Sequence, residues 1–286
     1  MSSANPKNFE AALNRAATSF KQINRTKTIK LVSNLDADGI SAVSIMIRTL
    51  ERLNLSYSVT ILHQLKEENA KELAAENYEH YVFCDLGSGQ LRVLNKHFGN
   101  KKVLVLDHHE IQGSPEEHIT HINPHDFGFD GSTEISAAGV CFLFSRAVDK
   151  KNEDLAHLAV IGAIGDVQAK EGFKGLNKKI LDIAVKKGRI KIEKGLRLFG
   201  LQTRSLHKLL EYSSDLGIPG VTGSESGAVQ FLKRIGVDPV DKNNKWRTFN
   251  DLTEDEKKKL VAGIIMKRQT RSSRLKRGLL KIRTYF

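Results

Sequence analysis

Acidic residues and histidines follow three short, mostly apolar segments of the sequence. The segments are 28–32, 81–84 and 103–106, and the residues that follow them are Asp36, Asp38, Asp85, Asp107, His108 and His109. Short apolar runs of this kind predict buried strands, and in open α/β sheets ligands bind at the C-terminal ends of the strands. Carboxylates and imidazoles are ligands of divalent cations such as Mn²⁺ and Mg²⁺. The pattern therefore predicts a metal-dependent enzyme.

Each of these motifs, taken alone, also has a structural explanation. Asp38-Gly39 could form a turn, Asp85 could cap a helix, and His108-His109 could be a pair on the protein surface. Asp166 follows the apolar segment 159–165, and a solvent-facing helix end explains it as well as a metal ligand does. The convergence of carboxylates and imidazoles at several strand ends favours the metal site.

Strands and helices alternate through the first part of the chain. The periodicity predicts helices over 8–23, 40–53, 67–76, 91–97, 135–148 and 155–164, and strands over 28–32, 56–62, 81–84 and 103–106. Such alternation predicts an α/β fold with a parallel sheet and helices on both of its faces. We expect residues 110–132 to be irregular, and a smaller, mainly helical and basic region to follow the sheet.

The composition limits the class of protein and the compartment. The chain has 286 residues, of which 40% are hydrophobic, and a net charge of +12. No apolar run has the length of a membrane span, and residues 1–15 lack the apolar core of a signal peptide, so we expect a cytoplasmic protein without a membrane partner. Cys84 and Cys141 are expected to be reduced core residues. A net charge of +7 falls within 251–286, and such a basic segment favours a polyanionic partner.

Taken together, the motifs resemble those of the DHH phosphoesterase family. The order and spacing of Asp36-x-Asp38, Asp85, Asp107-His108-His109 and Asp166 match the four motifs of that family. The similarity extends over about 25–230, and the chain resembles in particular the RecJ-like single-strand exonucleases. The segment 212–223 resembles the archaeal branch, whose members associate with the GINS replication complex. The resemblance therefore implies two partners, namely single-stranded DNA or RNA and the GINS complex.

The resemblance implies phosphodiester hydrolysis with two divalent metal ions, Mn²⁺ in preference to Mg²⁺. The metal ligands that it implies are Asp36, Asp38, Asp85, His108 and Asp166. His109 would contact the scissile phosphate and Asp107 would support an imidazole, which makes these two the expected catalytic residues. Asn34 stands close to where many family members have a metal-binding His or Asp, so it is a further candidate near the metals. The expected nucleic-acid contacts are Ser136, Arg268, Arg271, Arg274, Lys276 and Arg277.

Three segments are expected along the chain. They are an N-terminal helix over 1–24, a DHH phosphoesterase domain over 25–195 and a helical, basic region over 196–286. The sequence lacks the Gly-Gly-x-His motif of the DHHA1 domain that usually follows in family exonucleases, which fits either a truncated chain or a natural short form. Two alternatives to a nuclease stay open, namely a phosphoesterase of oligonucleotides or other small substrates and a non-catalytic replication scaffold like Cdc45.

Overall fold

The computed structural model describes residues 4–170, 172–192, 196, 198 and 200–272, with side chains as far as residue 268. The chain divides into two compact units, Met1–Ile192 and Glu193–Tyr285. No helix of the described residues is long and apolar enough to cross a membrane.

The first unit alternates strands and helices. Its strands are β1 (Thr28–Asn34), β2 (Ser56–Leu62), β3 (His80–Cys84), β4 (Lys102–Leu106) and β5 (Ile119–Ile122). Its helices are α1 (Pro6–Lys21), α2 (Ala37–Arg52), α3 (Glu67–Ala75), α4 (Leu91–Phe98), α5 (Ala137–Val148), α6 (Ala156–Gly165) and α7 (Gly175–Lys186). This alternation is the arrangement that places helices against the faces of a parallel sheet.

The five strands form one parallel sheet in the order β2-β1-β3-β4-β5. The chain runs outward from β1 to β2, then returns to place β3 on the other side of β1. The order of the strands therefore reverses between β1 and β3, and such a reversal opens a crevice at the C-terminal edge of the sheet. The segments that follow β1, β3 and β4 all reach this edge.

Side chains that alternate along the strands bury both faces of the sheet. Val82 and Cys84 of β3 belong to the core that includes residues of α1, α2, α5, α6 and α7. Tyr81 and Phe83 belong to the core on the other face, with residues of α3 and α4. Since successive residues of a strand point to opposite faces, continuous apolar strands such as β3 and β4 are needed to fill both cores.

The structure confirms the predicted fold class, a parallel α/β sheet followed by a helical region. The expectation of irregular structure over 110–132 was wrong at one place, because Ile119–Ile122 forms the edge strand β5. This strand has only four residues, and two of them, Thr120 and His121, are polar. Its pairing with β4 therefore decides its conformation, and no local apolar pattern predicts it.

The second unit is built from helices around a separate apolar core. Its helices are α8 (Leu206–Glu211), α9 (Glu225–Arg234) and α10 (Glu254–Ser272). Leu206, Leu210, Leu232 and Leu260 are fully buried in this core. The two units meet at residues 192 and 193, and the segments expected from the sequence, 1–24, 25–195 and 196–286, stay predictions.

Candidate active site

The C-terminal edge of the sheet brings two groups of possible metal ligands together. One group is Asp85, Asp107, His108 and His109, and the other is Asp38, His108 and Asp166. Within each group the candidate ligand atoms lie within 4.8 Å of one another. His108 belongs to both groups, so the two groups are neighbours that share this imidazole.

Asp38 lies in the first turn of α2 and is almost completely buried, with 2% of its surface exposed. Its Oδ2 accepts a hydrogen bond from the backbone N–H of Ala137 at 2.7 Å, and its Oδ1 accepts one from Ala138 at 3.1 Å. The carboxylate thus holds the N-terminus of α5, where free N–H groups favour a negative charge. A Cβ at Gly162 would lie 2.4 Å from Asp38 Oδ1, so only glycine lets α6 approach this closely.

Asp85 follows β3 directly and has an unusual backbone and an unusual environment. Its φ is +60°, in the left-handed region that residues other than glycine seldom adopt. The residue is 1% exposed, and neither carboxylate oxygen has a hydrogen-bond partner among the described residues. Desolvation raises the pKa of Asp85 to about 7, and the charges of Asp38 and Asp107 add to this rise.

His108 is held by the backbone at one nitrogen and faces carboxylates with the other. Its Nδ1 lies 2.7 Å from the carbonyl oxygen of Gly131, to which it donates. Its Nε2 lies 3.3 Å from Oδ1 of Asp85 and 3.8 Å from Oδ2 of Asp38. Burial lowers the pKa of His108, but the nearby carboxylates of Asp85 and Asp38 outweigh burial and raise it to about 10.

Asp107 holds the imidazole of His109. Its Oδ1 accepts from Nδ1 of His109 at 2.8 Å and from the backbone N–H of His108 at 2.7 Å, and its Oδ2 accepts from the N–H of Ser88 at 2.9 Å. Burial opposes the charge on Asp107, yet the hydrogen bond from His109 and the charges of both imidazoles hold its pKa well below the usual range. Its hydrogen bond to Asp107 in turn raises the pKa of His109, whose side chain is 53% exposed.

Ser88 and Asn123 hold Asp107 and His109 in place. The amide of Asn123 donates to the Oγ of Ser88 and to the carbonyl oxygen of His109, each at 2.8 Å. Nε2 of His121 lies 2.9 Å from the same Oγ, and Nδ1 of His121 lies 3.3 Å from Asp126. Ser88 is fully buried, so its hydroxyl joins Asn123 and His121 behind the site and does not serve as a nucleophile.

Asp166 closes the site from the end of α6. Its Oδ2 lies 3.8 Å from Nδ1 of His108 and accepts a hydrogen bond from Nε2 of Gln168 at 2.7 Å. The side chain is 34% exposed. Asp166 is therefore reachable from solvent, while the other members of its group, Asp38 and His108, are buried.

Asp36 and Asn34 lie on the loop after β1, outside both groups of candidate ligands. Oδ1 of Asp36 accepts from the N–H of Gly39 at 2.9 Å as the N-cap of α2, and its Oδ2 accepts from Nδ2 of Asn34 at 3.0 Å. The Oδ1 of Asn34 accepts from the N–H of Leu35. Both side chains therefore have local partners, and their predicted roles at the metals stay predictions.

The residues predicted to contact nucleic acid fall at the start of α5, in α10 and in the part of the chain outside the described residues. Ser136 is fully buried and caps α5, with its Oγ accepting from the N–H of Gly139 at 3.3 Å. Arg268 and Arg271 lie in α10, in the other unit. The remaining three, Arg274, Lys276 and Arg277, lie outside the described residues. These assignments stay predictions.

The donor set and its surroundings fit divalent cations. A buried carboxylate without hydrogen bonds is costly, and in Asp85 both oxygens are in this condition next to Asp38 and Asp107. Oxygen and imidazole ligands suit Mn²⁺ and Mg²⁺. A cation beside Asp85 would supply the partner that these oxygens lack, and Asp38, Asp85, His108 and Asp166 are the residues that could hold it.

Sequence reasoning missed the groups that orient the candidate ligands. These groups are Ser88, Asn123, the carbonyl of Gly131 and Gln168. A Cβ at Gly131 would lie 2.1 Å from the carbonyl oxygen of His108, so the close approach of the two backbones requires glycine. Nothing local in the sequence marks Gln168 as part of the site.

Two sequence profiles match this chain. The profile of the DHH family, N-terminal domain, matches residues 28–164, and that of the DHH-CID domain matches residues 198–277. The chain belongs to the DHH family. The first match contains the three strand ends described above with Asp38, Asp85 and His108, and the second falls in the helical unit.

One relative and two solved structures are similar to this chain. An uncharacterized protein of Methanocaldococcus jannaschii is 36% identical over 253 residues, and the match covers 86% of this chain and 55% of that protein. The exonuclease RecJ, solved with bound manganese, is similar in fold, with a TM-score of 0.52 at 20% identity over 92% of this chain and 66% of that chain. CDC45 from Entamoeba histolytica gives a TM-score of 0.65 at 14% identity over 93% and 58% of the two chains.

Proposed function

We propose that this protein is a metal-dependent phosphodiesterase that hydrolyses single-stranded DNA or RNA with two divalent cations, Mn²⁺ in preference to Mg²⁺. The observation that carries the proposal is the buried carboxylate of Asp85, whose two oxygens have no hydrogen-bond partner among the described residues and which belongs to one of the two groups of candidate ligands. The manganese bound to the RecJ exonuclease of similar fold supports the choice of metal.

Different side chains of the site would bind the cations and contact the substrate. Asp38, Asp85, His108 and Asp166 would hold the cations. Bound cations would supply the positive charge that activates water and neutralises a phosphate in such hydrolases. The remaining steps belong to residues that are not ligands of the metals in this proposal.

His109 is the group that would contact the phosphate. Its Nδ1 is engaged with Asp107, and the ring is half exposed, so Nε2 is the nitrogen left for a substrate. The hydrogen bond to Asp107 raises the pKa of His109 and so favours the imidazolium, in which Nε2 would donate a hydrogen bond to a phosphate oxygen. Such donors, fixed in advance, stabilise the negative charge that develops in the transition state.

A nucleic-acid substrate is favoured over a small one by the charge of the chain. The net charge is +12, and contacts with a phosphate backbone depend on such charges without requiring a base sequence. We include the GINS replication complex as a proposed partner and the cytoplasm as the proposed compartment. The second candidate is a non-catalytic scaffold, which is suggested by the fold similarity to CDC45. The presence of the candidate metal ligands Asp38, Asp85, His108 and Asp166 favours the enzyme.

The test is a cleavage assay with Mn²⁺ on end-labelled single-stranded DNA, single-stranded RNA, duplex DNA and a dinucleotide. The proposal expects shortening of the single strands and little cleavage of the duplex. Hydrolysis of the dinucleotide alone would indicate a small-substrate phosphoesterase. No hydrolysis of any substrate, with Mn²⁺ bound by the protein, would indicate the scaffold.

A further inference from the structure

Gln168 is a buried side chain that joins three segments around the site. It is 5% exposed, and its Nε2 donates to Oδ2 of Asp166 and to the carbonyl oxygen of Gly131, each at 2.7 Å. Its Oε1 accepts from Nδ2 of Asn177 at 2.6 Å, and Asn177 is itself 2% exposed. The amide therefore ties the end of α6 to the loop before α5 and to α7.

The first consequence concerns the carboxylate of Asp166. The backbone N–H groups of Val167 and Gln168 donate to carbonyls in the last turn of α6, which closes the helix with Val167 at a φ of +58°. This turn brings the side chains of Asp166 and Gln168 together. A carboxylate that is one-third exposed would otherwise sample several rotamers, and the hydrogen bond from Gln168 holds it 3.8 Å from Nδ1 of His108.

The second consequence concerns the imidazole of His108. The carbonyl oxygen of Gly131 accepts from Nε2 of Gln168 and from Nδ1 of His108, each at 2.7 Å. Because Nδ1 donates to this carbonyl, Nε2 is the nitrogen that faces the carboxylates, 3.3 Å from Asp85. Gln168 thus fixes the position of the carbonyl that selects the tautomer and the orientation of His108.

We propose that Gln168 is a positioning residue of the metal centre, which fixes Asp166 directly and His108 through the Gly131 carbonyl. The inference rests on the proposed function, because it assigns Asp166 and His108 as metal ligands. Groups that orient metal ligands typically contribute 10–100-fold to metal affinity. Gln168 couples ligands from α6 and from β4, so its loss would affect both.

The experiment is an isothermal titration of the full chain with Mn²⁺ alone, without nucleic acid. Gln168→Met keeps a side chain of similar length but removes every hydrogen bond, and we expect it to weaken Mn²⁺ binding about 10–100-fold. Thr49→Val is the matched control, since it removes a buried side-chain hydrogen bond to Ser145 at 2.6 Å in the same unit, between α2 and α5. We expect Thr49→Val to bind Mn²⁺ like the wild type.

The outcomes separate this inference from the proposed function. A wild-type chain that binds no Mn²⁺ would overturn the proposed function. Wild-type binding with equal affinity in Gln168→Met would overturn the positioning role alone, and so would an equal loss in Gln168→Met and Thr49→Val, because affinity would then follow stability. If Gln168→Met does not fold, Gln168→Ala, in which water can enter the vacated volume, is measured in its place with the same expected result.

Discussion

Replacing Asp85 by Asn should stabilise the protein without metal and remove its response to metal. The carboxylate of Asp85 is 1% exposed and lacks any hydrogen-bond partner among the described residues. The neutral amide of Asp85→Asn has nearly the same shape but carries no charge to desolvate. Two opposite effects on stability are therefore expected, one for the metal-free protein and one for the protein with Mn²⁺.

The size of the first effect follows from the pKa of Asp85. Burial raises this pKa from 3.8 to about 7. A raised pKa of an acid destabilises the folded state above the unfolded pKa, and at about 1.4 kcal/mol for each tenfold change the cost is on the order of 4 kcal/mol near pH 7. An unpaired buried amide costs about 1–3 kcal/mol, and Asp85→Asn also loses the charge interaction with Nε2 of His108 at 3.3 Å, which removes a further part of the gain. We expect a net gain of about 1 kcal/mol for metal-free Asp85→Asn, or roughly 2–4 °C in Tm.

The size of the second effect follows from mass action. A ligand at 100 times its Kd stabilises the folded state by about 2.7 kcal/mol, so Mn²⁺ should raise the Tm of the wild type and leave that of Asp85→Asn unchanged. Thermal unfolding with EDTA and with Mn²⁺ measures both. Asp182→Asn, an exposed residue of α7, is the control and should behave as the wild type. A lower Tm of Asp85→Asn in EDTA, or a rise with Mn²⁺ equal to that of the wild type, would refute the reasoning.

Three further predictions concern other parts of the molecule. His108→Ala should weaken Mn²⁺ binding and regain cleavage partly in excess Mn²⁺, while His109→Ala should lower turnover with Mn²⁺ binding retained; titration calorimetry with the reverse pattern would exchange the two roles. Val167→Gly should raise the Tm by roughly 2–4 °C, because a φ of +58° costs a β-branched residue about 1 kcal/mol; an unchanged or lower Tm would speak against strain. The hydrogen bond from Arg247 lowers the pKa of Glu256 from 4.5 to about 2, so its contribution to the stability of the second unit is present above pH 4.5 and is lost as the pH falls towards 2. Glu256→Gln should therefore lower stability at pH 7 and lose less of it between pH 4.5 and pH 2 than the wild type. The single tryptophan lies in that unit, so its fluorescence in denaturant measures the stability of the unit at each pH. An equal pH dependence of stability in both proteins would contradict the stabilising role of Glu256.

Much of the sheet could be predicted from the sequence because its signals are local. The strands β3 and β4 are continuous apolar runs, and β2 has the predicted bounds Ser56–Leu62. The polar residues that follow β1, β3 and β4 lie at one edge because parallel strands that are neighbours end on the same side. The strand β5 was not predicted because its four residues carry no apolar pattern, and their pairing with β4 is what makes them a strand.

The candidate ligands could be predicted more readily than the groups that orient them. Asp85, Asp107 and His108 stand directly after apolar strands, so their positions in the sequence also give their place in the fold. Gln168 and Ser88 act through contacts between segments, with Ser88 lying 19 residues before Asp107. Such contacts depend on tertiary packing, which no periodicity in the sequence encodes.

The most direct test of the two-cation phosphodiesterase is the rate of cleavage of a labelled DNA single strand over a series of Mn²⁺ concentrations. The wild type and Asp85→Asn are compared at pH 7, each with an EDTA control. The two-cation mechanism predicts no cleavage in EDTA, a rate for the wild type that rises more steeply than the first power of the Mn²⁺ concentration, and no cleavage by Asp85→Asn at any concentration. Cleavage in EDTA, or substantial Mn²⁺-dependent cleavage by Asp85→Asn, would contradict it.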